Sequence, residues 1–406
     1  MSDDPTIMNR RKVMGGISAG LLAQPIKEYD TDIEIVSNIS PSVDIDGWPH
    51  PRHDLSNTAR ASSDSLPDPS SLSEEWTYST SKSGLNTPII ADDRLLASTY
   101  APVGEVHDLN IDEGTAHQVL DQFDSPMRME PVLLSGSVYS IPSGIHKSKP
   151  VKNITASESI EITTGSPSVF RSTGSELVLA HVSPDGTPEV VGLPPSGNEI
   201  NWRYQPPMKD GEINDVALSG EILFVAGTIH TKDTATGPGS VSAVDLDSGE
   251  LLWKLQDELR VDSIAVGETS VYSVTRKATK SINRESGAVE WVVERGGPGM
   301  SNVAVGTDQV FVGHPPEVTA LSKSGGDLIW ETDMKARSIR PSLGGLHVYA
   351  SGNPRGKEPG KFAALNAETG ERVFQQEFGN TNITAPAIAS GGVFIGVNDG
   401  TVRKYS

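Results

Sequence analysis

The 406-residue chain carries 53 acidic and 33 basic residues, a formal net charge of −20, with 40 glycines, 28 prolines and no cysteine. So many breakers disfavour long helices and favour short strands joined by turns. The missing cysteine excludes disulfides, thiol catalysis and zinc–thiolate sites. An acidic surface repels phosphate, so we expect no nucleic-acid partner. The charge fits either plain solubility or adaptation to high salt, and we expect a salt-adapted organism.

The N-terminus predicts an export signal over residues 1–26. Arg10 and Arg11 precede a short, weakly apolar run, Gly15–Ala23, as in twin-arginine signals. No Phe follows the pair and no clean cleavage site is seen, so a chance basic start and a cytoplasmic location stay open. No run of about 18 apolar residues exists, so we expect at most a peripheral membrane association. Residues 27–73, rich in Asp, Ser and Pro, are predicted to be a partly disordered linker.

The rest of the chain, residues 74–406, is built from repeats. A strand pair with a tight turn recurs eight times at a spacing of roughly 40–45 residues, the range of propeller blades. The copies are Pro88–Leu96, Pro131–Tyr139, Pro167–Leu179, Val216–Val225, Ile264–Tyr272, Val303–Phe311, Pro341–Tyr349 and Pro386–Phe394.

A second hairpin follows several copies and ends in a large aromatic residue. Its Asp or Asn accepts backbone N–H bonds in the turn, and its Gly supplies a positive φ. The aromatic side chain is expected to bury against the next blade. The best copies are Ala243–Trp253, Ser281–Trp291, Ala320–Trp330 and Ala364–Phe374.

These hairpins resemble the PQQ-like repeat, whose signature is Ala-x-Asp-x-x-Thr-Gly-x-x-x-Trp. The segment Trp48–Thr58 is similar to the stretch that often precedes such domains. The resemblance implies a propeller of seven or eight blades, in a family with quinoprotein dehydrogenases and a lipoprotein that assists outer-membrane protein assembly. The last copy lacks its aromatic strand, and Glu75–Ser79 fits as the missing one. We therefore predict an all-β, eight-bladed propeller closed by an N-terminal strand, with seven blades and an insertion at 125–165 as the alternative.

Catalytic chemistry is poorly supported. The resemblance implies that quinoprotein enzymes hold their quinone with a stacked Trp, a Ca²⁺ ion and commonly a vicinal disulfide, but four of the six Trp here occupy the repeat's own aromatic position. We expect no catalytic residue, no cofactor-binding residue, no cofactor and no metal ligand. His50 and His53 fit a Pro-rich loop better than a metal site. Polar residues near the predicted starts of the inner strands are the candidates for lining a channel: Asn86, Arg128, Asn214, Asp262, Asn302, Arg340 and Thr384.

The sequence thus favours a non-catalytic, monomeric scaffold that presents its loops to a protein partner in the cell envelope. The alternative is a ligand-binding or enzymatic propeller that uses the central channel. Two Arg and one Asp among the seven channel candidates make an anionic small molecule the ligand that this alternative predicts.

Overall fold

The computed structural model describes residues 33–35, 47–61, 66–91, 93–100, 103–123, 126–127, 129–141, 150–160, 166–196, 199–208, 211–230, 237–295, 302–389 and 391–406. The predicted export signal, residues 1–26, and the channel candidate Arg128 lie outside these residues, so both stay predictions. Within the described chain, no helix is long and apolar enough to cross a membrane.

The described strands form eight antiparallel sheets arranged as the blades of a propeller. Three strands precede the first complete hairpin: β1 (Ile33–Ile35), β2 (Gly47–Trp48) and β3 (Glu74–Ser79). Blades 1 to 4 then contain β4 (Ile89–Ala91), β5 (Arg94–Thr99), β6 (Glu105–Asn110), β7 (Ala116–Gln122); β8 (Val132–Leu134), β9 (Ser137–Ser140), β10 (Val151–Asn153), β11 (Glu158–Ile160); β12 (Ser166–Ser172), β13 (Leu177–Val182), β14 (Pro188–Leu193), β15 (Trp202–Tyr204); and β16 (Gly211–Ser219), β17 (Ile222–Ile229), β18 (Gly239–Asp245), β19 (Leu251–Asp257).

Blades 5 to 8 continue the pattern around the ring. They contain β20 (Val261–Val266), β21 (Ser270–Thr275), β22 (Ala278–Asn283), β23 (Val289–Glu294); β24 (Val303–Val305), β25 (Gln309–His314), β26 (Glu317–Ser322), β27 (Leu328–Asp333); β28 (Arg337–Gly344), β29 (His347–Asn353), β30 (Lys361–Asn366), β31 (Arg372–Glu377); and β32 (Ala387–Ala389), β33 (Gly392–Val397), β34 (Thr401–Tyr405). The first strand of each blade lies nearest the axis, and β32 contacts β4 to complete the ring.

The eight-bladed prediction is confirmed, and so is its closure. Strand β3 pairs antiparallel with β34 as the outer strand of blade 8, with Thr77 opposite Arg403. An ion pair from Arg403 to Glu74, at 3.0 Å, adds to this seam. The seven-blade alternative is excluded, because residues 132–160 form a four-stranded blade of their own instead of an insertion.

The repeat's aromatic residue joins neighbouring blades in the way its position predicts. The indole Nε1 of Trp253 donates a hydrogen bond of 2.8 Å to the carbonyl of Arg284 in the next blade. The same bond recurs from Trp291 to Lys323, at 2.9 Å, and from Trp330 to Ala367, at 2.8 Å. Each indole therefore buries its rings between two sheets while its one donor is satisfied.

Part of the segment assigned to the linker belongs to the propeller. Strand β2 pairs with β4 at the inner edge of blade 1, and β1 pairs with β15 at the outer edge of blade 3. Residues 47–61, here called the plug, lie largely buried against the ring. The plug carries no strand or helix periodicity, because its backbone bonds in short turns, as from the N–H of Ala59 to the carbonyl of Arg52 at 3.0 Å, and to distant strands.

Candidate functional site: the plugged channel and the groove beside it

The plug closes one end of the propeller axis. Four of its backbone carbonyls accept hydrogen bonds of 2.7–2.8 Å. The donors are backbone N–H groups at the ends of the inner strands of blades 4 to 7. The pairs are Leu55 with Leu218, Ser56 with Val266, Thr58 with Val305 and Ala59 with Leu343. Because β2 also joins blade 1, the plug ties together blades from most of the ring.

A buried ion pair holds the plug against the inner strands. The guanidinium of Arg52 lies 3.2 Å from the carboxylate of Asp215 in blade 4 and donates to the carbonyls of Ile264, at 3.0 Å, and Val303, at 2.5 Å, in blades 5 and 6. Asn57 donates to the same carboxylate at 3.1 Å. Burial lowers the pKa of Arg52, and Asp215 partly offsets this shift. A guanidinium group suits this position, because its five N–H donors allow Arg52 to bond to several blades at once.

The two histidines of the plug lie in different surroundings. His50 is 2% exposed, and burial together with Arg171 lowers its pKa to about 3, so the ring is neutral at pH 7. The His53 ring packs edge-on against Trp48 at 5.0 Å between centroids. Among the described residues, no group of three or more His, Asp or Glu could hold a metal ion.

Three of the seven channel candidates hold neighbouring blades together. Asn86 donates to the carbonyl of Met127 at 3.2 Å, and Asn214 donates to that of Val261 at 3.1 Å. Arg340 donates to the carbonyl of Ile383, also at 3.1 Å. Each acceptor carbonyl lies just before the inner strand of the next blade, or at its start. The inner strands of neighbouring blades do not pair with each other, so these side chains supply hydrogen bonds between the blades.

The other described candidates make local contacts. Thr384 accepts the N–H of Gly396 within blade 8, at 2.9 Å. Asp262 pairs with Arg260 at 3.2 Å, and burial raises its pKa. Asn302 contributes its backbone carbonyl to Gly313 at 2.9 Å. The structure thus does not bring the six described candidates together into one group.

Sequence reasoning missed Glu130, a half-buried residue in the connection between the outer strand of blade 1 and the inner strand of blade 2. Burial raises the pKa of its carboxyl, while the positive charges of Arg171 and Arg340 act in the opposite direction. Arg171 is 8% exposed and its Nε has no partner among the described residues. Nothing in the Met-Glu-Pro context of Glu130 signals this position, because the charges that act on it come from blades 3 and 7.

The tryptophans do not fit a quinone cofactor. A stacked quinone needs an indole face that is open to the channel. Trp48 and Trp202 are fully buried, and Trp253, Trp291 and Trp330 are at most 7% exposed, sealed between blades. The sixth, Trp76, lies on the outer strand of blade 8, with its Nε1 bonded to the carbonyl of Ile111 at 3.2 Å.

A groove of about 1070 Å³ runs beside the plug on its outer face. Plug residues 54–61 and residues 66–69 form one wall, and the turns between the first two strands of blades 4 to 7 form the other. Its basic residues are Arg60, Arg284 and Lys323. A slot of about 210 Å³ between blades 6 and 7 shares Arg60 and Leu346 with the groove, and Leu346 is 78% exposed.

Comparisons with known proteins agree with this architecture. The sequence profile of the outer membrane protein assembly factor BamB family matches residues 314–406. The structure of BamB from Moraxella catarrhalis is 13% identical, with a TM-score of 0.61, covering 82% of this chain and 99% of that one. No curated protein matches the sequence.

Enzymes and a designed protein share the fold as well. Quinohemoprotein alcohol dehydrogenase from Comamonas testosteroni is 11% identical, with a TM-score of 0.65, covering 88% of this chain and 80% of that one. The computationally designed protein Ika8 is 14% identical, with a TM-score of 0.62, covering 80% and 98%. At such identities the structural likenesses show the fold alone. The chain is therefore a propeller similar to both an assembly factor and quinoprotein dehydrogenases.

Proposed function

We propose that this protein is a non-catalytic, extracytoplasmic propeller that binds a protein partner through the face carrying the plug. One observation carries the proposal: the chain fills one end of its own channel with backbone bonded to four blades, and leaves a large groove with an exposed Leu346 on the outer side. A plugged end cannot admit substrate to the axis from that side. A groove flanked by turns from several rigid blades is suited to recognition.

The BamB-family profile over residues 314–406 supports a role in assembling envelope proteins, as does the export-like N-terminus. In the proposed role, the rigid ring holds the turns of blades 4 to 7 in place, so that a partner binds a preformed surface and loses little conformational entropy.

Site-specific photo-cross-linking tests this proposal. A photoreactive amino acid replaces Leu346 on the plug face in one variant and Lys357 on the opposite face in another, each expressed in the native host. We expect a discrete cross-linked partner from position 346 and none from position 357. The same partner from both positions, or cross-links from position 357 alone, would reject the plug face as the binding surface.

Glu130, Arg171 and Arg340 favour a second candidate function, the binding of a small anionic ligand inside the channel. A ligand at 100 times its Kd stabilises the native state by about 2.7 kcal/mol. Thermal melts with PQQ plus Ca²⁺ and with a set of small carboxylates test it. An upward shift that is lost in Arg340→Gln would favour this candidate over the scaffold.

A further inference from the structure

A polar cavity of about 340 Å³ lies between blades 7 and 8 on the face of the ring opposite the plug. The plug bonds to the ends of the inner strands, whereas this cavity lies at their starts, where Arg337 begins β28. The other walls are the connection between β31 and β32 and the residues that follow β29 and β33. Six residues line the cavity: Arg337, Pro354, Asn380, Thr381, Asn382 and Asn398.

The charge of this lining is positive. Arg337 is its one charged residue, and no Asp or Glu is among the described residues that line the cavity. Asp399, which follows Asn398 in the chain, pairs with Arg403 at 3.3 Å. The groove beside the plug differs, because its described lining combines three cations with three carboxylates: Arg60, Arg284, Lys323, Asp54, Asp68 and Glu268. Of these two sites, only the cavity favours an anion by its local charge.

The polar side chains of the cavity carry unused hydrogen-bonding groups. Four of them form no hydrogen bond or ion pair with the described residues: Arg337, Asn380, Thr381 and Asn382. The fifth, Asn398, donates to the Tyr100 hydroxyl at 2.9 Å. Amides and hydroxyls both donate and accept, so they match the hydroxyl groups of a sugar, while the planar fork of Arg337 matches a carboxylate.

Backbone hydrogen bonds hold the walls of the cavity in place. The Gly360 N–H donates to the carbonyl of Gly379 at 2.7 Å, and the Gly360 carbonyl accepts the N–H of Phe378 at 2.9 Å. Further along the same connection, the carbonyl of Asn382 accepts the N–H of Asn398 at 2.9 Å. A ligand therefore meets a preformed site, and little of its binding energy is spent on ordering the protein.

We infer that the cavity binds a single sugar ring that carries a carboxylate, as in a hexuronic acid. The carboxylate pairs with Arg337, and the ring hydroxyls bond to the Asn amides and to the Thr381 hydroxyl. The volume is near the lower end of the range for ligand sites, about 300–1,000 Å³, which fits one ring better than a chain of several. This inference goes beyond the proposed function, since the cavity and the plug lie on opposite faces.

Other classes of ligand use less of the cavity. A simple carboxylate such as acetate engages Arg337 and leaves the amides unused. A phosphate monoester carries about −1.5 to −2 charges at pH 7, more than one guanidinium group balances. An apolar side chain of a peptide meets one apolar lining residue, the buried Pro354.

Ligand-observed NMR titration of the full-length protein tests the inference with the methyl glycosides of glucuronic, galacturonic and mannuronic acid. The methyl glycosides of glucose, galactose and mannose are the neutral counterparts, and acetate and glucose 6-phosphate are further probes. At least one acidic glycoside should bind about fivefold or more tightly than its neutral counterpart, because only the acidic ring forms charge-assisted bonds with Arg337. This preference should decrease as KCl rises.

Two variants separate the charged part of the site from the neutral part. Arg337→Gln should remove the preference for the acidic glycoside and leave the affinity for the neutral one unchanged. Asn380→Ala with Thr381→Ala should weaken both glycosides by a similar factor, because the two share their ring hydroxyls. These side chains have no partners among the described residues, so both variants should keep the wild-type Tm. The matched control, Arg276→Gln, removes one exposed positive charge from the turn between β21 and β22 of blade 5 and should change neither affinity.

The inference fails if no acidic glycoside binds, if acetate binds as tightly as the acidic glycosides, or if Arg337→Gln retains the preference for them. Tighter binding of glucose 6-phosphate than of every acidic glycoside would assign the cavity to a phosphate and overturn the inference as well. None of these outcomes decides the proposed function, because cross-linking at position 346 tests the plug face separately.

Discussion

The indole ring of Trp330 in blade 6 packs against Gly370 in blade 7. A Cβ atom added to Gly370 would come within 2.6 Å of that ring. The same approach recurs between Trp291 and Gly326, at 2.8 Å. Gly370 also has a φ of +73°, in the left-handed region. The glycine of the repeat therefore serves both the hairpin turn and the seam between blades.

Replacing Gly370 with alanine should lower the free energy of unfolding by about 2–4 kcal/mol, because left-handed strain and the clash with Trp330 add. Gly220→Ala is the matched control: its φ is +62°, but nothing lies within 4 Å of the added Cβ, so only strain of about 1–2 kcal/mol is expected. Urea unfolding curves measure both variants. Equal losses would show that the indole moves aside at no cost.

The ion pair between Arg52 and Asp215 should dominate the anchoring of the plug. Arg52→Ala removes the nearer of two cations from the buried carboxylate of Asp215, leaving only Arg171 at 3.9 Å, and we expect a loss of about 3–5 kcal/mol. Arg52→Lys should not rescue it, since an ammonium cannot reach the carbonyls of Ile264 and Val303 together. In a double-mutant cycle with Asp215→Ala, the combined loss should be well below the sum of the single losses. Additive losses would contradict a direct interaction.

The blades could be predicted from the sequence because their information is local. Each first hairpin carries its own tight turn between apolar strands, so eight copies such as Ile264–Tyr272 identify the strands without knowledge of their neighbours. The Gly and the aromatic residue of the second hairpin mark several blades again, as in Ala243–Trp253. Ring closure could be predicted too, since the incomplete last copy required a partner such as Glu75–Ser79.

The plug and the groove could not be found in this way. Arg52 and its partner Asp215 are 163 residues apart, and the plug has neither strand nor helix periodicity. The basic residues Arg284 and Lys323 did leave a signal: aligning the repeats position by position shows that they stand where blades 4 and 7 have Leu246 and Ala367. Only the structure shows that both side chains line one groove.

Stability should fall as the pH drops below about 7. Burial lowers the pKa of His50 from 6.5 to about 3, and that of His314 to about 4. Between these values and 6.5 the unfolded chain binds protons that the folded chain refuses, so each histidine lowers the free energy of unfolding by up to about 1.4 kcal/mol per pH unit. This penalty is absent above the ordinary pKa and grows as the pH falls.

The groups around His50 set the useful range of that experiment. Arg171 and His53 reinforce the effect of burial, and Asp54 opposes it. The pKa of Asp54 is itself lowered, so its contribution to stability is lost only below the ordinary value of 3.8. Urea unfolding between pH 7.5 and pH 5 therefore excludes Asp54, but it includes His347, whose pKa burial also lowers, and Glu130, whose raised pKa acts in the opposite direction. A double variant assigns the slope to His50 and His314. The slope of stability against pH should be shallower in His50→Gln combined with His314→Gln, and an unchanged slope would assign the effect to other groups.

Salt should stabilise this protein, because its net charge of −20 repels itself in the folded state. The Debye length falls from about 10 Å at 0.1 M to about 3 Å at 1 M, so KCl removes most of that repulsion. KCl also weakens exposed ion pairs, but each contributes only about 0–1 kcal/mol, so little stability is lost with them. We expect Tm to rise steadily with KCl.

The control replaces three exposed acidic residues that have no side-chain partner among the described residues: Asp247→Asn, Glu285→Gln and Glu368→Gln. With three fewer negative charges, this variant should melt higher at low salt and gain less from KCl. A Tm that falls or stays level with salt would show that the ion pairs, and not the net charge, control stability, and would argue against adaptation to a saline environment.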